Sequence, residues 1–513
     1  MMPDLDSATM LASGFATLSD LIHAHARERG DREALAAKDG AIDYAALDRL
    51  MDRIATALQR DGVKQSEAVA IVAGSGIEYA AVFLGALRAG CVAAPLSPSA
   101  TGEAIAAMIA DCGAPILFID GDAAQALKPF TFDMRVVRLD TDAFARWLAP
   151  EDAVPAPVTI APDDGFNIIY SSGTTGSPKG IVQSHAMRWA HIGRNATAGF
   201  AEAVTMIATP LYSNTTLVSF LPTLGWGGTA VLMNKFDARG YLTLAARHRA
   251  THTMLVPVQY QRIMALPDFD SFDLSSFAFK TCTSAPFPPA LKADVVARWP
   301  GLLVEYYGMT EGGGTCMLVA NQFPDKLHTV GQPVEGHDIR LIDDDGTEVP
   351  QGEIGEVVGR SPAMMTGYHG RGDATAAAEW FDAAGNRFIR HSDIGRFDAD
   401  GFLTLLDRKK DLIISGGFNI YPVDLEAVLA QHAAVADCSV IGMPSETWGE
   451  TPVGFYVPHA DTIDDAATIL AWVNAQLGKT QRLSTLHAID ELPRNAIGKV
   501  LKRELRDRLT EAA

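Results

Sequence analysis

From about residue 66 the chain alternates short apolar runs with alanine-rich amphipathic segments: AVAIVAG, EYAAVFLGALRAG, CVAAPL, TGEAIAAMIADCG and APILFID. The short runs, bounded by Gly, Pro or polar residues, read as strands, and the longer segments read as helices packed on them. That rhythm predicts βα units on a mainly parallel sheet, an α/β fold. It continues through FNIIYSS, VTMIATPL, TAVLMNKF, THTMLVPV, FKTCTSAP and LLVEYYGMTE, several of which end in small or hydroxyl residues. Ligands of doubly wound sheets sit beyond the carboxyl ends of the strands, so chemistry is expected at these ends.

Near residue 340 the character changes. RLIDDDGTEVPQGEIGEVV and FDADGFLTLLDRKKD predict short strands joined by Gly- and Asp-rich turns. A compact α+β tail follows, with helices expected near 424–431 and 464–476 and strands near 436–443 and 451–458. The charged run DRKKD, residues 407–411, is the expected domain boundary and divides 1–407 from 408–513. A solvated hairpin end would have the same composition. No internal repeat or low-complexity segment interrupts the chain.

Composition narrows the class. With 513 residues the chain is long enough for two or more domains. The formal charge of -20 argues against nucleic acid or an anionic membrane as partner, because binding to polyphosphate depends on Lys and Arg. An anionic ligand must therefore be met by a local site. Five scattered cysteines (Cys91, Cys112, Cys282, Cys316, Cys438), none in CxxC spacing, suggest neither a disulfide framework nor a zinc site and fit a reducing cytoplasm. MMPDLDSATM carries acids where a secretory leader needs basic residues, and the longest apolar runs, such as YAAVFLGAL before Arg88, are too short to span a bilayer. The expectation is a soluble cytoplasmic protein, with a homo-oligomer left open.

Two stretches carry candidate chemistry. YSSGTTGSPKG, residues 170–180, leaves the end of a predicted strand with three glycines and five hydroxyl residues around Lys179. Gly173, Gly176 and Gly180 let backbone approach a ligand closely, and Ser171, Ser172, Thr174, Thr175 and Ser177 offer donors to phosphate oxygens. It is not a Walker A loop: Ser177 and Pro178 separate Gly176 from Lys179, and Gly180 follows where a hydroxyl is required. Pro178 disfavours helix at Ser177, so Lys179 is expected on extended backbone. A flexible Gly/Ser surface loop is the alternative. LLVEYYGMTEGGG, residues 302–314, reads as a buried strand entering a turn with Thr310 and Glu311. A hydroxyl and a carboxylate there suit a phosphate oxygen and a Mg²⁺ ion, which prefers oxygen ligands shared with nucleotide phosphates. Polar capping of a strand end is the alternative.

The order of the remaining pieces separates these readings. YSSGTTGSPKG, TSAP at 283–286, YYGMTE at 306–311, HSDIGRFDADGFLTLLDRKKDLIISGGFNIYPVDLE at 391–426, WGE at 448–450 and PRNAIGK at 493–499 together resemble the adenylate-forming acyl-CoA synthetases, a superfamily that includes luciferases and nonribosomal-peptide adenylation domains. The resemblance covers nearly the whole chain. It implies a large N-terminal domain of packed αβ layers with a small β subdomain, and a small mobile α+β C-terminal domain. It also implies ATP, Mg²⁺ and coenzyme A: a carboxylic acid and ATP give acyl-AMP and pyrophosphate, and coenzyme A then displaces AMP.

Carried over by motif, Ser171, Ser172, Gly173, Thr174, Thr175, Gly176 and Lys179 form the ATP-phosphate loop, with Lys179 on pyrophosphate. Tyr307, flanked by Tyr306 and Gly308, is implied to stack on adenine, with Ser284, Ala285 and Pro286 on its other side and Glu305 accepting from the exocyclic amine. Thr310 is implied at the α-phosphate, Glu311 at Mg²⁺, Asp393 at both ribose hydroxyls and Arg408 at ribose or phosphate. Lys499 is the implied catalytic cation for adenylation; its alternative is one more solvated lysine beside Lys502 and Arg503. Lys410 is the implied hinge, and Gly416 and Gly417 border the implied coenzyme A tunnel. Trp448 either flanks coenzyme A or packs internally.

The sequence departs from the family at Ser213 in PLYSNTTLVSF, where relatives carry histidine beside the acyl pocket. No aspartate lies between Leu211 and Leu224, which disfavours an amino-acid substrate. Gly312, Gly313 and Gly314 are expected to leave space at one pocket wall; Arg188 is the candidate for a buried arginine that would mark a dicarboxylate, with a helix surface its expected place instead. An apolar acid follows, aromatic or a medium- to long-chain fatty carboxylate. The alternatives are a ligase that loads a carrier protein in trans and a luciferase-like oxygenase. No phosphopantetheine-serine segment follows Lys499.

Overall fold

Strand Ala68–Val72 is buried along its whole length. AVAIV has no polar face to turn to water, so it belongs inside a sheet covered on both sides. It pairs in parallel with Val92–Pro95 and Ile116–Ile119, in a seven-stranded sheet that reaches Arg135–Arg138 at one edge. Toward the other edge come Gly165–Ser171 and then the antiparallel strands Lys179–Ser184 and Gly367–Tyr368. The computed structural model describes residues 5–38, 40–171, 179–193, 198–415, 418–459, 465–478, 481–495 and 498–511.

A second sheet, of nine strands, has a parallel centre. Glu33–Ala37, Thr229–Leu232, Val204–Ile207, His252–Leu255, Phe279–Cys282 and Leu302–Gly308 run side by side in that order, with antiparallel strands at both edges. One core cluster joins side chains of both sheets to helices Leu18–Glu28, Tyr44–Arg60, Ile77–Arg88 and Asn214–Gly225. Ile77–Arg88 is buried on nearly every face, which explains why its sequence is apolar all round rather than striped. Residues 338–408 add a five-stranded antiparallel sheet, whose longest strand is Arg387–Phe397. Together these make the large N-terminal domain.

The C-terminal domain is built on a fourth sheet with its own core, including Ile413, Leu425, Val440, Tyr456, Ile469 and Leu486. The tail elements expected from the sequence are present with shifted ends. The first helix is Pro422–Leu429, begun by a proline whose fixed φ suits the first turn. The two strands extend to Val435–Ser445 and Gly449–Pro458. Helix Ala466–Gln476 starts at Asp465, whose carboxylate accepts from the amide of Thr468. Among the described residues no helix is long and apolar enough to cross a membrane.

Candidate active site

Three strands meet at the junction of the second and third sheets. Strand Leu302–Gly308 delivers Tyr307 and then the turn with Thr310 and Glu311. In the third sheet, the register of strands Arg387–Phe397 and Leu403–Arg408 sets Asp393 directly opposite Arg408. Arg408 Nε lies 3.3 Å from Asp393 Oδ1. Tyr307 packs among Cys316, Ile339, Leu341, Val357 and Leu403, with its hydroxyl 2.8 Å from Asp393 Oδ2 and 2.9 Å from His391 Nδ1. Burial first, and then the Asp393 charge, pushes the phenol well above its ordinary range, so the hydroxyl keeps its hydrogen.

Beside this group, Tyr368 links two expected phosphate-site residues. Its hydroxyl donates to Glu311 Oε1 at 2.8 Å, and Lys179 Nζ lies 5.2 Å from its ring centroid. Lys179 begins a strand, as the preceding proline predicts, and pairs with Ser171. Ser172, Gly173, Thr174, Thr175 and Gly176 lie outside the described residues. Among the described residues no cluster of three His, Cys, Asp or Glu side chains could cage a metal. The single carboxylate of Glu311 nevertheless fits Mg²⁺, which binds through one or two carboxylates and takes its other ligands from phosphate and water.

Tyr368 is a residue that motif reading missed, and its proposed role predicts a measurable loss. Tyr368→Phe keeps the ring under Lys179 and removes the hydrogen bond to Glu311. The kcat/KM for Mg-ATP in pyrophosphate release is expected to fall about tenfold, the size of one hydrogen bond to a charged group. A value within twofold of wild type would remove Tyr368 from this role.

Lys499 arrives from the other domain. It sits in a braced loop in which its amide donates to Asn495 Oδ1 at 2.9 Å, its carbonyl accepts from the Asn495 amide, and Arg494 donates to the Gly498 carbonyl at 2.7 Å. Gly498 has φ +78, and a side chain there would meet Val258 of helix Pro257–Met264 at 2.6 Å, so the glycine is what lets this loop close on the N-terminal domain. Burial and the Arg408 charge lower the Lys499 ammonium to about 8, while Asp393 acts the other way. Lys499 is thus desolvated beside the Asp393–Arg408 pair, unlike a solvated surface lysine.

Three expectations need correction. Glu305 does not face a nucleotide: it is 4% exposed and paired with Lys292 of helix Pro289–Arg298. Burial lifts its carboxyl to about 7 against the opposing effect of Lys292. Gly313 and Gly314 do not open a pocket wall. A side chain at Gly313 would meet Ile389 at 2.7 Å, and one at Gly314, where φ is +92, would meet Ile339 at 3.0 Å; their bare Cα atoms instead admit the third sheet. Gly312 is tighter still, with the Ala363 carbonyl 1.7 Å from its Cβ position. Arg188 is not a surface residue: it is 1% exposed and hydrogen-bonds Asn167 Oδ1 at 2.9 Å and Gln183. Gln183 in turn donates to the Thr310 carbonyl at 2.7 Å, so this buried network supports the turn that holds Glu311.

The other candidates differ in their surroundings. Ser284 has φ +83 and its hydroxyl lies 2.6 Å from that of Thr215. Ala285 is half-buried and Pro286 exposed, while Tyr306 is half-buried and Gly308 exposed. Ser213 is buried at the N-terminus of helix Asn214–Gly225. Trp448 is 58% exposed, which excludes internal packing in this arrangement of the domains. Gly416 and Gly417 lie outside the described residues.

Residues 22–369 match the AMP-binding enzyme family and residues 424–499 match the AMP-binding enzyme C-terminal domain. The chain is 33% identical over 489 residues to a feruloyl-CoA synthase of Amycolatopsis sp, covering 94% of this chain and 97% of that one. It is 32% identical to an indoleacetate–CoA ligase of Aromatoleum aromaticum, covering 95% and 97%. Among solved structures, ATP-bound MatB from Rhodopseudomonas palustris superposes with a TM-score of 0.85 at 28% identity, covering 96% of this chain and 99% of that chain.

Proposed function

Because the chain belongs to the AMP-binding enzyme family of the adenylate-forming superfamily, it is an AMP-forming acid–CoA ligase acting on an aromatic or fatty acid, and we propose that its acid is an apolar aromatic carboxylate. Two relatives at 33% and 32% identity bear names with aromatic acids. The absence of an aspartate between Leu211 and Leu224 further disfavours an amino acid.

In the first step a carboxylate oxygen of the acid attacks the α-phosphorus of ATP. The bond from that phosphorus to the β-phosphate bridging oxygen breaks, and pyrophosphate leaves with the electron pair. The product is a mixed anhydride, a far better acyl donor than a carboxylate. In the second step the thiol sulfur of coenzyme A attacks the acyl carbon and gives up its proton to solvent, and AMP departs with the electrons of the acyl carbon–oxygen bond.

On this reading Asp393 receives the ribose diol, with Arg408 holding the carboxylate from its other side. Tyr307 stacks on adenine against Ser284, Ala285 and Pro286. Lys179 and the loop formed by Ser171, Ser172, Gly173, Thr174, Thr175 and Gly176 hold the phosphates, with Thr310 at the α-phosphate. Glu311 would hold Mg²⁺, which supplies charge neutralisation on the phosphates when bound. Lys499 stabilises the negative charge that grows between acid and phosphorus. Its place on a braced, half-buried loop that Gly498 lets close on helix Pro257–Met264 is the observation that supports this assignment, and its electrostatic surroundings include Arg408 and Asp393.

The domain boundary falls just after Arg408, the last residue of the third sheet, with the hinge at Lys410. Anchoring changes sides at this point, which supports the pivot. Lys409 Nζ lies 2.8 Å from Asp344 and 3.1 Å from Glu356, both in the N-terminal domain, whereas Asp411 accepts from Arg506 of the C-terminal helix at 3.1 Å. Rotation there would withdraw Lys499 and bring Gly416, Gly417 and the exposed Trp448 to the acyl-adenylate for thioester formation.

A panel of aromatic, fatty and amino acids assayed for pyrophosphate release, with and without coenzyme A, tests the substrate class. Aromatic acids are expected to give the highest kcat/KM; preference for a fatty acid or an amino acid would overturn it. Offering an acyl-carrier protein in place of coenzyme A tests the acceptor, with coenzyme A expected to be used at the higher rate.

A further inference from the structure

Strand Arg387–Phe397 sets His391 and Asp393 two residues apart, and both reach the Tyr307 hydroxyl. Between them Ser392 takes φ +58, a left-handed conformation that a residue other than glycine seldom adopts. His391 is 5% exposed. Its Nε2 lies 2.6 Å from the Gly313 carbonyl oxygen. A carbonyl only accepts, so Nε2 carries a hydrogen. Burial holds the imidazole below its ordinary range, assisted by the Arg408 charge and opposed by the Gly313 carbonyl, Asp393 and Glu311. The ring is neutral, and Nδ1 is an acceptor.

The Tyr307 hydroxyl therefore faces two acceptors with one hydrogen: His391 Nδ1 at 2.9 Å and Asp393 Oδ2 at 2.8 Å. Either the imidazole or the carboxylate lacks a donor along this line. A ligand with a hydroxyl for Asp393 removes the conflict, because the carboxylate then accepts from the ligand and Tyr307 turns its hydrogen to His391. We propose that His391 is a positioning residue for nucleotide ribose: by competing for the hydrogen of Tyr307 it keeps Asp393 in need of a donor, which the ribose diol supplies. This rests on the reading of Asp393 as the ribose carboxylate. It explains why a polar ring is buried here, and it makes ribose selectivity a property of three residues.

The test compares the Kd of ATP with that of 2′,3′-dideoxy-ATP by calorimetry, which needs no knowledge of the acid. His391→Gln retains a donor for Gly313 and loses the acceptor facing Tyr307, whereas His391→Asn retains an acceptor near the Nδ1 position and loses the reach to Gly313. The preference for ATP is expected to fall about tenfold in the Gln variant, the size of one hydrogen bond to a charged acceptor, and to stay within about twofold of wild type in the Asn variant. In a Tyr307→Phe background the Gln substitution should leave the preference unchanged. Tyr307→Phe alone, which removes the disputed hydrogen, should keep the preference at or above the wild-type value, and this arm stands even where a His391 variant does not fold. An unchanged preference in His391→Gln, an equal loss in both His391 variants, or a reduced preference in Tyr307→Phe would overturn the proposal. Equal binding of the two nucleotides by the wild-type protein would instead overturn the ribose reading of Asp393.

Discussion

Replacing Lys499 with alanine is expected to slow acyl-adenylate formation about 100-fold or more, the cost of losing an electrostatic donor aimed at developing charge. Thioester formation from supplied acyl-AMP should lose far less, because a rotated C-terminal domain would no longer present this lysine to the phosphorus. The two half-reactions separate the role from a general effect on folding, and equal losses in both would refute it. The environment of Lys499 adds a pH signature. Burial and Arg408 lower its ammonium to about 8, so the charged form predominates below that pH and is lost as pH rises through it. The kcat/KM for ATP, which reports the free enzyme, should therefore be flat with respect to this group below about 8 and decline above it. A profile level to pH 10 would place the catalytic cation elsewhere.

Lys410→Pro is expected to impair thioester formation by on the order of tenfold or more and to spare adenylation. In the present arrangement the Arg408 carbonyl accepts from the amides of Asp411 and Leu412, at 2.9 and 3.1 Å, and neither bond uses the Lys410 amide. Proline at 410 thus leaves this turn its hydrogen bonds while fixing the φ angle about which the domain would swing. With Lys409 tied to Asp344 and Glu356 and Asp411 tied to Arg506, residue 410 is where rotation would concentrate. Single-turnover measurement of each half-reaction checks this, and unchanged thioester formation would move the hinge elsewhere.

The sequence rhythm made the parallel sheets legible, because runs such as AVAIV carry no polar face and admit one environment. Strand ends were legible for the same reason: polar residues that directly follow a buried strand, as in YYGMTE and FNIIYSS, have to be solvated, capped or functional. What stayed hidden was what lies opposite each residue of a doubly covered strand. Glu305 and Tyr307 lie two apart on one strand, yet one carboxylate ends on Lys292 while the neighbouring phenol reaches Asp393. The partner Lys292 comes from a separate helix, and no local pattern announces it. Arg188 was misread because its helix borders a polar network rather than water. The glycines after Glu311 were misread because a missing side chain serves a cavity and a tight contact equally well. His391 had one visible signal, its place two residues before Asp393 in HSD, but the left-handed Ser392 between them had none. Tyr368 had none, since its partners Glu311 and Lys179 come from distant parts of the chain.

The central claim is that this protein activates a carboxylate by joining it to the α-phosphorus of ATP with the help of a cation carried in by the C-terminal domain. Nucleotide product analysis with purified protein, Mg-ATP and a broad panel of carboxylic acids tests it most directly. The account predicts acid-dependent AMP and pyrophosphate in equal amounts, strongly reduced in Lys499→Ala. Acid-dependent ADP and inorganic phosphate, with no AMP, would contradict it.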